Sequence, residues 1–184
     1  MKSPRQLTWL AAPFLLVAQP AIAEVTEVSD TGFTTTTSGA TQLSASDVWS
    51  ILVRPEEWWS GEHTWSGNSR NLTLAAEAGG CLCETLPAGG SAEHMRVLYA
   101  QPGKLLRLSG ALGPLQGEAL VGTLTIELDQ RDGTTHIEWT YVVGGHARFP
   151  LKSVAPAVDG VMSEQLNRLL SLIQFGDAGH LSDD

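Results

Sequence analysis

The chain has 184 residues, a net charge of −9 and 42% hydrophobic residues, which fits one globular domain with a single core. The acidic balance argues against binding to nucleic acid or to an anionic membrane surface, because both favour a basic patch. After the N-terminal segment, no apolar run is long enough to span a bilayer.

Residues 1–23 have the pattern of a signal peptide. A basic start with Lys2 and Arg5 is followed by an apolar stretch, and small residues precede a cleavage position after Ala23. An uncleaved anchor is the alternative. We therefore expect an exported protein, either periplasmic or secreted.

The rest of the chain divides into a domain and a short tail. Residues 24–175 contain no internal repeat and no linker, so they are predicted to form one domain. Residues 176–184 are small, polar and acidic, and we expect them to be disordered.

The first predicted elements are a strand and two short helices. Residues 25–37 are rich in threonine and valine, which favours a strand. A helix capped by a serine is predicted to run through Leu52, and a second helical turn starts at Pro55. Residues 63–65, between two glycines, predict a further short strand.

Turn residues separate six more candidate strands. They are residues 72–77, 81–86, 93–100, 104–109, 122–130 and 134–143. The Asp132-Gly133 pair is typical of a tight hairpin between the last two. Short strands at this spacing predict an antiparallel sheet.

The last hairpin has one apolar face and one polar face. The apolar face carries Leu124, Ile126, Leu128, Ile137, Trp139, Tyr141 and Val143. Because alternate residues of a strand point to opposite faces, this apolar face must be covered.

A long final helix provides that cover. Apolar residues recur at three- and four-residue steps over residues 151–173. Gly160 costs about 1 kcal/mol relative to Ala in a helix interior, which predicts that a strand or a ligand approaches closely there. The sheet and helix together predict an α+β fold with a cavity for an apolar small molecule.

Four short motifs occur in a characteristic order, at residues 48–52, 55–59, 79–84 and 102–108. With the closing hairpin and helix, they resemble the START-like, or SRPBCC, superfamily over residues 25–174. That group includes pollen-allergen-type proteins, polyketide cyclases and aromatases, lipid-transfer domains and relatives of heat-shock ATPase activators. The resemblance implies a helix-grip fold, in which a curved antiparallel sheet wraps a long C-terminal helix and two short helices follow the first strand. It also implies hydrophobic ligands in the cavity between them.

The residues expected to line this cavity come from the apolar strand faces, the second helical turn and the last helix. They are Trp58, Cys81, Cys83, Met95, Val97, Tyr99, Leu124, Ile126, Ile137, Trp139, Tyr141, Val158 and Met162. Trp58 and Trp59 cannot both be buried within a helix, so one of them is expected at the cavity mouth. The apolar segment 109–115 either folds over the entrance or is a bulged connection.

Cys81 and Cys83 are two residues apart on a predicted strand. Their side chains share a face with β-carbons well beyond the roughly 3.8 Å of a disulfide, so we expect two buried thiols rather than a strained bridge. A metal site would need His63 and His94 as further ligands, and the spacing does not bring these together. We therefore predict no metal and no other cofactor.

His94 and Arg96 are the candidate catalytic residues. On a regular strand they share one face, and Met95, Val97 and Tyr99 share the other. An inward His94 would supply a base and Arg96 an anion partner. The apolar set is the better inner face, so we expect His94 in solvent and no catalytic residue.

The expected function is the binding or carriage of a hydrophobic small molecule by an exported protein. One alternative is a cyclase- or aromatase-like enzyme that uses the same cavity, and another is a protein-interaction module. No serine lies in a nucleophile-elbow sequence and no glycine loop would hold a phosphate, so a hydrolase triad or a nucleotide enzyme has no support. The sequence does not indicate the oligomeric state.

Overall fold

The computed structural model describes residues 19–179, with side chains from Glu24 onward. The strands in this part of the chain are β1 (Gln19–Val28), β2 (Gly32–Thr41), β3 (Leu72–Leu74), β4 (Cys81–Thr85), β5 (Ser91–Gln101), β6 (Leu105–Ser109), β7 (Ala119–Arg131) and β8 (Thr134–His146). The α-helices are α1 (Ala45–Leu52), α2 (Pro55–Trp58) and α3 (Ala155–Phe175).

The eight strands form a single antiparallel sheet in the order β1-β2-β8-β7-β6-β5-β4-β3. The last strand, β8, lies between β2 and β7, so the second strand of the chain pairs with the last. The long helix α3 packs on the sheet against β1 and β2. This arrangement confirms the predicted α+β fold, a curved antiparallel sheet around a long C-terminal helix.

The hairpin of β7 and β8 follows the predicted alternation. The apolar side chains of both strands are buried, and their polar neighbours mostly point outward. The turn consists of Asp132 and Gly133, whose φ angles of 50° and 79° are the positive values that a two-residue hairpin needs. The Asp-Gly prediction is therefore confirmed.

The predicted strand 25–37 is two strands rather than one. The chain turns back where the Ser29 amide donates to the Gly32 carbonyl at 2.8 Å, and β1 then pairs with β2. Residues 19–23, the end of the predicted signal peptide, belong to β1, and the rest of that peptide lies outside the described residues. Cleavage after Ala23 would leave residues 24–28 of β1.

The two short helices begin where the sequence predicts. The hydroxyl of Ser44 accepts the Asp47 amide at 3.2 Å as the N-cap of α1, and Pro55 is the first residue of α2. The strand predicted at 63–65 is wrong, because a 3₁₀ turn at Gly61–His63 occupies this part of the chain.

The helix α3 buries the predicted apolar stripe but makes no close approach at Gly160. A β-carbon added to Gly160 would meet nothing within 4 Å, so the expected approach of a strand is wrong, and the approach of a ligand stays a prediction. The close approach lies further along the helix. A β-carbon on Gly39 of β2 would lie 2.6 Å from Leu170 Cδ1, so the glycine lets the helix reach the sheet.

The chain after α3 turns back onto the helix. Gly176 ends α3 with a φ of 73°, Ser171 Oγ donates to the Asp177 carbonyl at 2.8 Å, and Ala178 is buried. The tail predicted to be disordered thus begins with packed residues, and residues 180–184 lie outside the described part. No helix between residues 19 and 179 has the length and apolar character needed to cross a membrane.

Candidate functional site

A pocket of about 580 Å³ lies beside the first two turns of α3, within the roughly 300–1,000 Å³ of small-molecule sites. Its walls are mostly apolar. The lining residues are Trp59, Glu62, His63, Thr64, Trp65, Leu72, Leu82, His94, Leu112, Gly113, Pro114, Leu115, Phe149, Val154, Ala157, Val158, Val161 and Met162. Two stretches of irregular chain flank it. We call residues 59–66 the tryptophan segment and residues 110–118 the glycine segment.

A buried histidine–carboxylate pair forms part of the pocket wall. His94 is 6% exposed, and its Nε2 lies 2.8 Å from Oε2 of Glu84, which is 1% exposed. Glu84 also accepts the backbone amides of Trp65 at 3.0 Å and Ser66 at 2.6 Å. The carboxylate therefore has three hydrogen-bond partners in the interior.

These contacts set the protonation of the pair. Burial raises the pKa of Glu84, but the hydrogen bonds from Ser66, Trp65 and His94 together outweigh it and hold the pKa below the ordinary 4.5. An ionised carboxylate only accepts hydrogen bonds, so His94 Nε2 carries the proton between them. The other ring nitrogen, Nδ1, makes no hydrogen bond to a described residue.

A β-bulge turns His94 inward, which overturns the expectation that it lies in solvent. Leu82 pairs with Met95 and Cys83 pairs with Glu93, so His94 is the extra residue of β5. Strict alternation is broken at this point, and both His94 and Met95 are buried.

The side chains of Arg96 and Tyr99 are exposed to solvent. Arg96 donates to the Gly79 carbonyl at 2.9 Å and pairs with Glu93 on the surface, away from His94. A second register shift, between Val97 and Tyr99, leaves Tyr99 47% exposed. The predicted faces of β5 are therefore correct for Met95, Arg96 and Val97 and wrong for His94 and Tyr99.

Cys81 and Cys83 form a disulfide, which corrects the prediction of two thiols in the cavity wall. Their Cα atoms are 5.4 Å apart, whereas residues two apart on a regular strand are separated by about 6.6 Å. The register shift between β4 and β5 lies at the same place, between Leu82 and Cys83. The carboxylate of Glu93 lies beside both sulfurs, but bonded sulfurs offer no thiolate for a metal.

The two adjacent tryptophans are both buried. Since α2 ends at Trp58, Trp59 continues in extended backbone and can turn to a different side. Trp58 donates its indole N–H to the carbonyls of Ile51 and Leu52 and packs edge-on against Trp139 at 5.7 Å. Trp59 lines the pocket in its place.

Several other predicted lining residues belong to the packed core instead. These are Met95, Val97, Leu124, Ile126, Ile137, Trp139 and Tyr141, which are buried but do not border the pocket. The reason is that Leu166, Leu169 and Leu170 of α3 are themselves fully packed in this core. Of the predicted set, Val158 and Met162 border the pocket, and their contact with a ligand stays a prediction.

The tryptophan segment is held by buried acceptors. The Ser60 amide donates to Oε1 of Gln165 on α3 at 2.8 Å, and the Glu84 carboxylate holds the far end of the segment. At the surface, His63 Nε2 lies 3.0 Å from Oε2 of Glu164. The sequence gives no separate signal for these contacts, which join positions far apart in the chain.

The glycine segment is held by a phenol and by surface contacts. Tyr141 donates its hydroxyl proton to the Gly110 carbonyl at 3.0 Å and accepts the Leu112 amide at 3.1 Å. Burial raises the pKa of Tyr141 to about 12, so the phenol stays neutral. Farther along, Arg148 binds the Glu118 carboxylate, and these hydrogen bonds lower the pKa of Glu118.

Comparison with solved structures finds several of the same architecture. A conserved protein of unknown function from Enterococcus faecalis has a TM-score of 0.59 at 16% identity, over 85% of this chain and 80% of that one. CalU16 from Micromonospora echinospora has 0.58 at 14%, over 86% of each chain. The Aha1 dimer from Colwellia psychrerythraea gives 0.54 at 14%, over 77% of this chain and 96% of that one.

The fold is α+β and of the helix-grip type, with a curved antiparallel sheet around a long C-terminal helix. At these identities the likeness concerns the fold alone. No protein-family model and no curated protein matches the sequence.

Proposed function

We propose that this protein binds or carries a hydrophobic small molecule in the pocket beside α3, as a member of the START-like superfamily. The observation that carries the proposal is the pocket itself, about 580 Å³ in volume and walled mainly by apolar side chains. Such a cavity in a close-packed protein favours an apolar ligand because the ligand leaves water and contacts the walls on entering.

The place of action belongs to the same proposal. The pattern of residues 1–23 supports export, and an exported carrier would work in the periplasm or outside the cell. The Cys81–Cys83 disulfide supports an oxidising compartment, where such bonds persist.

A neutral fluorescent probe, N-phenyl-1-naphthylamine, tests the binding. Delipidated protein should bind it saturably, with one site per chain. Val158→Trp places a large side chain in the pocket wall and should weaken binding at least about tenfold, or 1.4 kcal/mol. The matched control is Val121→Trp, because Val121 is 63% exposed on β7 and does not line the pocket.

Two results would contradict the proposal. One is the absence of saturable binding by folded wild-type protein. The other is an equal loss of affinity in Val158→Trp and Val121→Trp, since the site would then not be this pocket.

An enzyme of cyclase or aromatase type is the second candidate, and the His94–Glu84 pair favours it. A buried carboxylate that orients an imidazole beside a pocket is an arrangement suited to a general base. The test is to incubate the protein with a short synthetic polyketone and look for ring-closed product. Product formed by wild type and lost in His94→Gln would support the enzyme, and equal rates with and without protein would exclude it for that substrate.

The third reading, a protein-interaction module, has no comparable support. The structure of residues 19–179 shows no feature that says what a protein partner would be.

A further inference from the structure

The polar groups of the pocket indicate what kind of apolar molecule fits it. This question rests on the proposed function. Four lining residues carry polar side chains, Glu62, His63, Thr64 and His94. Glu62 and His63 are exposed, and Thr64 already donates its hydroxyl proton to the Gly61 carbonyl at 2.7 Å. His94 is therefore the buried polar side chain with a hydrogen-bonding atom to offer.

The atom available on His94 is Nδ1. Its Nε2 is directed to Glu84, which is itself fixed by Trp65 and Ser66. Nδ1 makes no hydrogen bond to residues 19–179. It is also not one of the side-chain atoms that are fully buried without a hydrogen-bond partner, so it remains accessible. In the neutral ring with Nε2 protonated, Nδ1 is an acceptor and calls for a donor on the ligand.

The charges around the pocket disfavour an acidic ligand. Among its described lining residues there is no lysine or arginine. A protonated His94 would already be paired with the Glu84 carboxylate, and Glu62 adds a carboxylate to the lining. A ligand carboxylate would lose its hydration here without gaining an unpaired cation, which is costly in an apolar surrounding.

We propose that the ligand is an apolar molecule with a hydroxyl group, an alcohol or a phenol, whose proton is donated to His94 Nδ1. Glu84 is the positioning residue, because its carboxylate keeps the ring proton on Nε2 and so leaves Nδ1 free to accept. The aromatic walls at Trp59, Trp65 and Phe149 suit a ligand whose apolar part is flat.

Three probes that share the naphthalene ring test the proposal, namely naphthalene, 2-naphthol and 2-naphthoate. The affinity of each is measured by equilibrium dialysis at neutral pH. Wild-type protein should bind 2-naphthol about three- to tenfold more tightly than naphthalene, the effect of one net hydrogen bond, and 2-naphthoate more weakly than naphthalene. In His94→Phe, naphthalene and 2-naphthol should bind with equal affinity. His136→Phe, at an exposed histidine of β8 outside the pocket, should keep the wild-type order.

A measurement on wild-type protein also tests the proposal if the His94→Phe variant does not fold. In the ¹⁵N spectrum of the histidine side chains, 2-naphthol should shift the His94 Nδ1 signal, and naphthalene should shift it much less. Equal affinities for naphthalene and 2-naphthol, or tightest binding of 2-naphthoate, would overturn this inference and leave the proposed function standing. Failure of all three probes and of N-phenyl-1-naphthylamine to bind would overturn the proposed function itself.

Discussion

The tryptophan segment and the glycine segment border the same pocket but are anchored in different ways. Backbone amides of the tryptophan segment donate hydrogen bonds to two buried side chains, Glu84 on β4 and Gln165 on α3. The glycine segment buries Ala111 and Leu115, but its one buried hydrogen-bonding side chain is the hydroxyl of Tyr141, and its ion pair with Arg148 lies at the surface. Hydrogen bonds are stronger in the interior than at the surface, so the first wall is the firmer one.

Because of this difference, we expect one wall of the pocket to contact the polar group of a ligand and the other wall to move when the ligand enters. The carboxylate that orients His94 also holds the tryptophan segment, so the proposed hydrogen bond from a ligand would be made on the more firmly held side of the pocket. We expect a ligand to enter by displacing the glycine segment, because fewer buried side-chain hydrogen bonds oppose that movement.

The largest effect on stability should come from removing the negative charge of Glu84, which holds the tryptophan segment. In Glu84→Gln, one carboxylate oxygen becomes an amide that cannot accept, so a buried N–H of Trp65, Ser66 or His94 loses its partner. We expect a loss of about 2–3 kcal/mol in the free energy of unfolding, measured by urea titration. Glu127→Gln makes the same change at an exposed strand position and should stay within about 0.5 kcal/mol.

The pH dependence of stability gives an independent check on Glu84. Because the folded protein lowers its pKa below 4.5, the stabilisation from its ionised form is fully present above that value. It is lost as the pH falls through the lower, folded-state pKa. Wild type should therefore lose its advantage over Glu84→Gln below about pH 4.5, and a difference that stays constant down to pH 2 would contradict the assignment.

An intermediate effect is expected at the buried anchor of the glycine segment. Tyr141→Phe removes the acceptor of the Leu112 amide and the donor to the Gly110 carbonyl. We expect about 1–2 kcal/mol of destabilisation, together with faster hydrogen exchange in residues 110–118 than in 59–66. In Tyr99→Phe the lost hydroxyl is exposed and bonded to Gln101, so neither change should follow.

The smallest effect is expected at the surface contact of the glycine segment. Arg148→Gln should leave the melting temperature nearly unchanged and speed exchange only around Glu118, with the difference shrinking as salt is added. Arg131→Gln removes another surface pair, with Asp129, outside both segments. If the two variants changed exchange in residues 110–118 equally, Arg148 would not be an anchor of that segment.

Regular periodicity made most of the fold predictable. Alternation along β7 and β8, and the three- and four-residue steps of α3, depend on neighbours close in sequence, so they identified the buried faces correctly. The Asp132-Gly133 turn was predictable for the same reason, since its two residues supply the positive φ angles themselves.

The site depends on departures from that periodicity. The bulge at His94 is a property of the pairing between β4 and β5, and nothing in the residues around it marks the extra position. Two separate register shifts, one at His94 against β4 and one between Val97 and Tyr99 against β6, reversed the predicted faces of His94 and Tyr99. The pocket also lies where α3 and the sheet leave space, which depends on the whole packing rather than on any short stretch.

The Cys81–Cys83 bond encloses a ring of only three residues of chain. In the chain-entropy account, so short a loop restricts the unfolded protein little, by about 1.6 kcal/mol against about 3 kcal/mol for a fifteen-residue loop. The bond joins no distant parts of the sheet, and it can form before the strands have paired. Its effect is therefore confined to the local path of β4, where it fixes the spacing on either side of Leu82, a residue of the pocket wall opposite the bulge that carries His94.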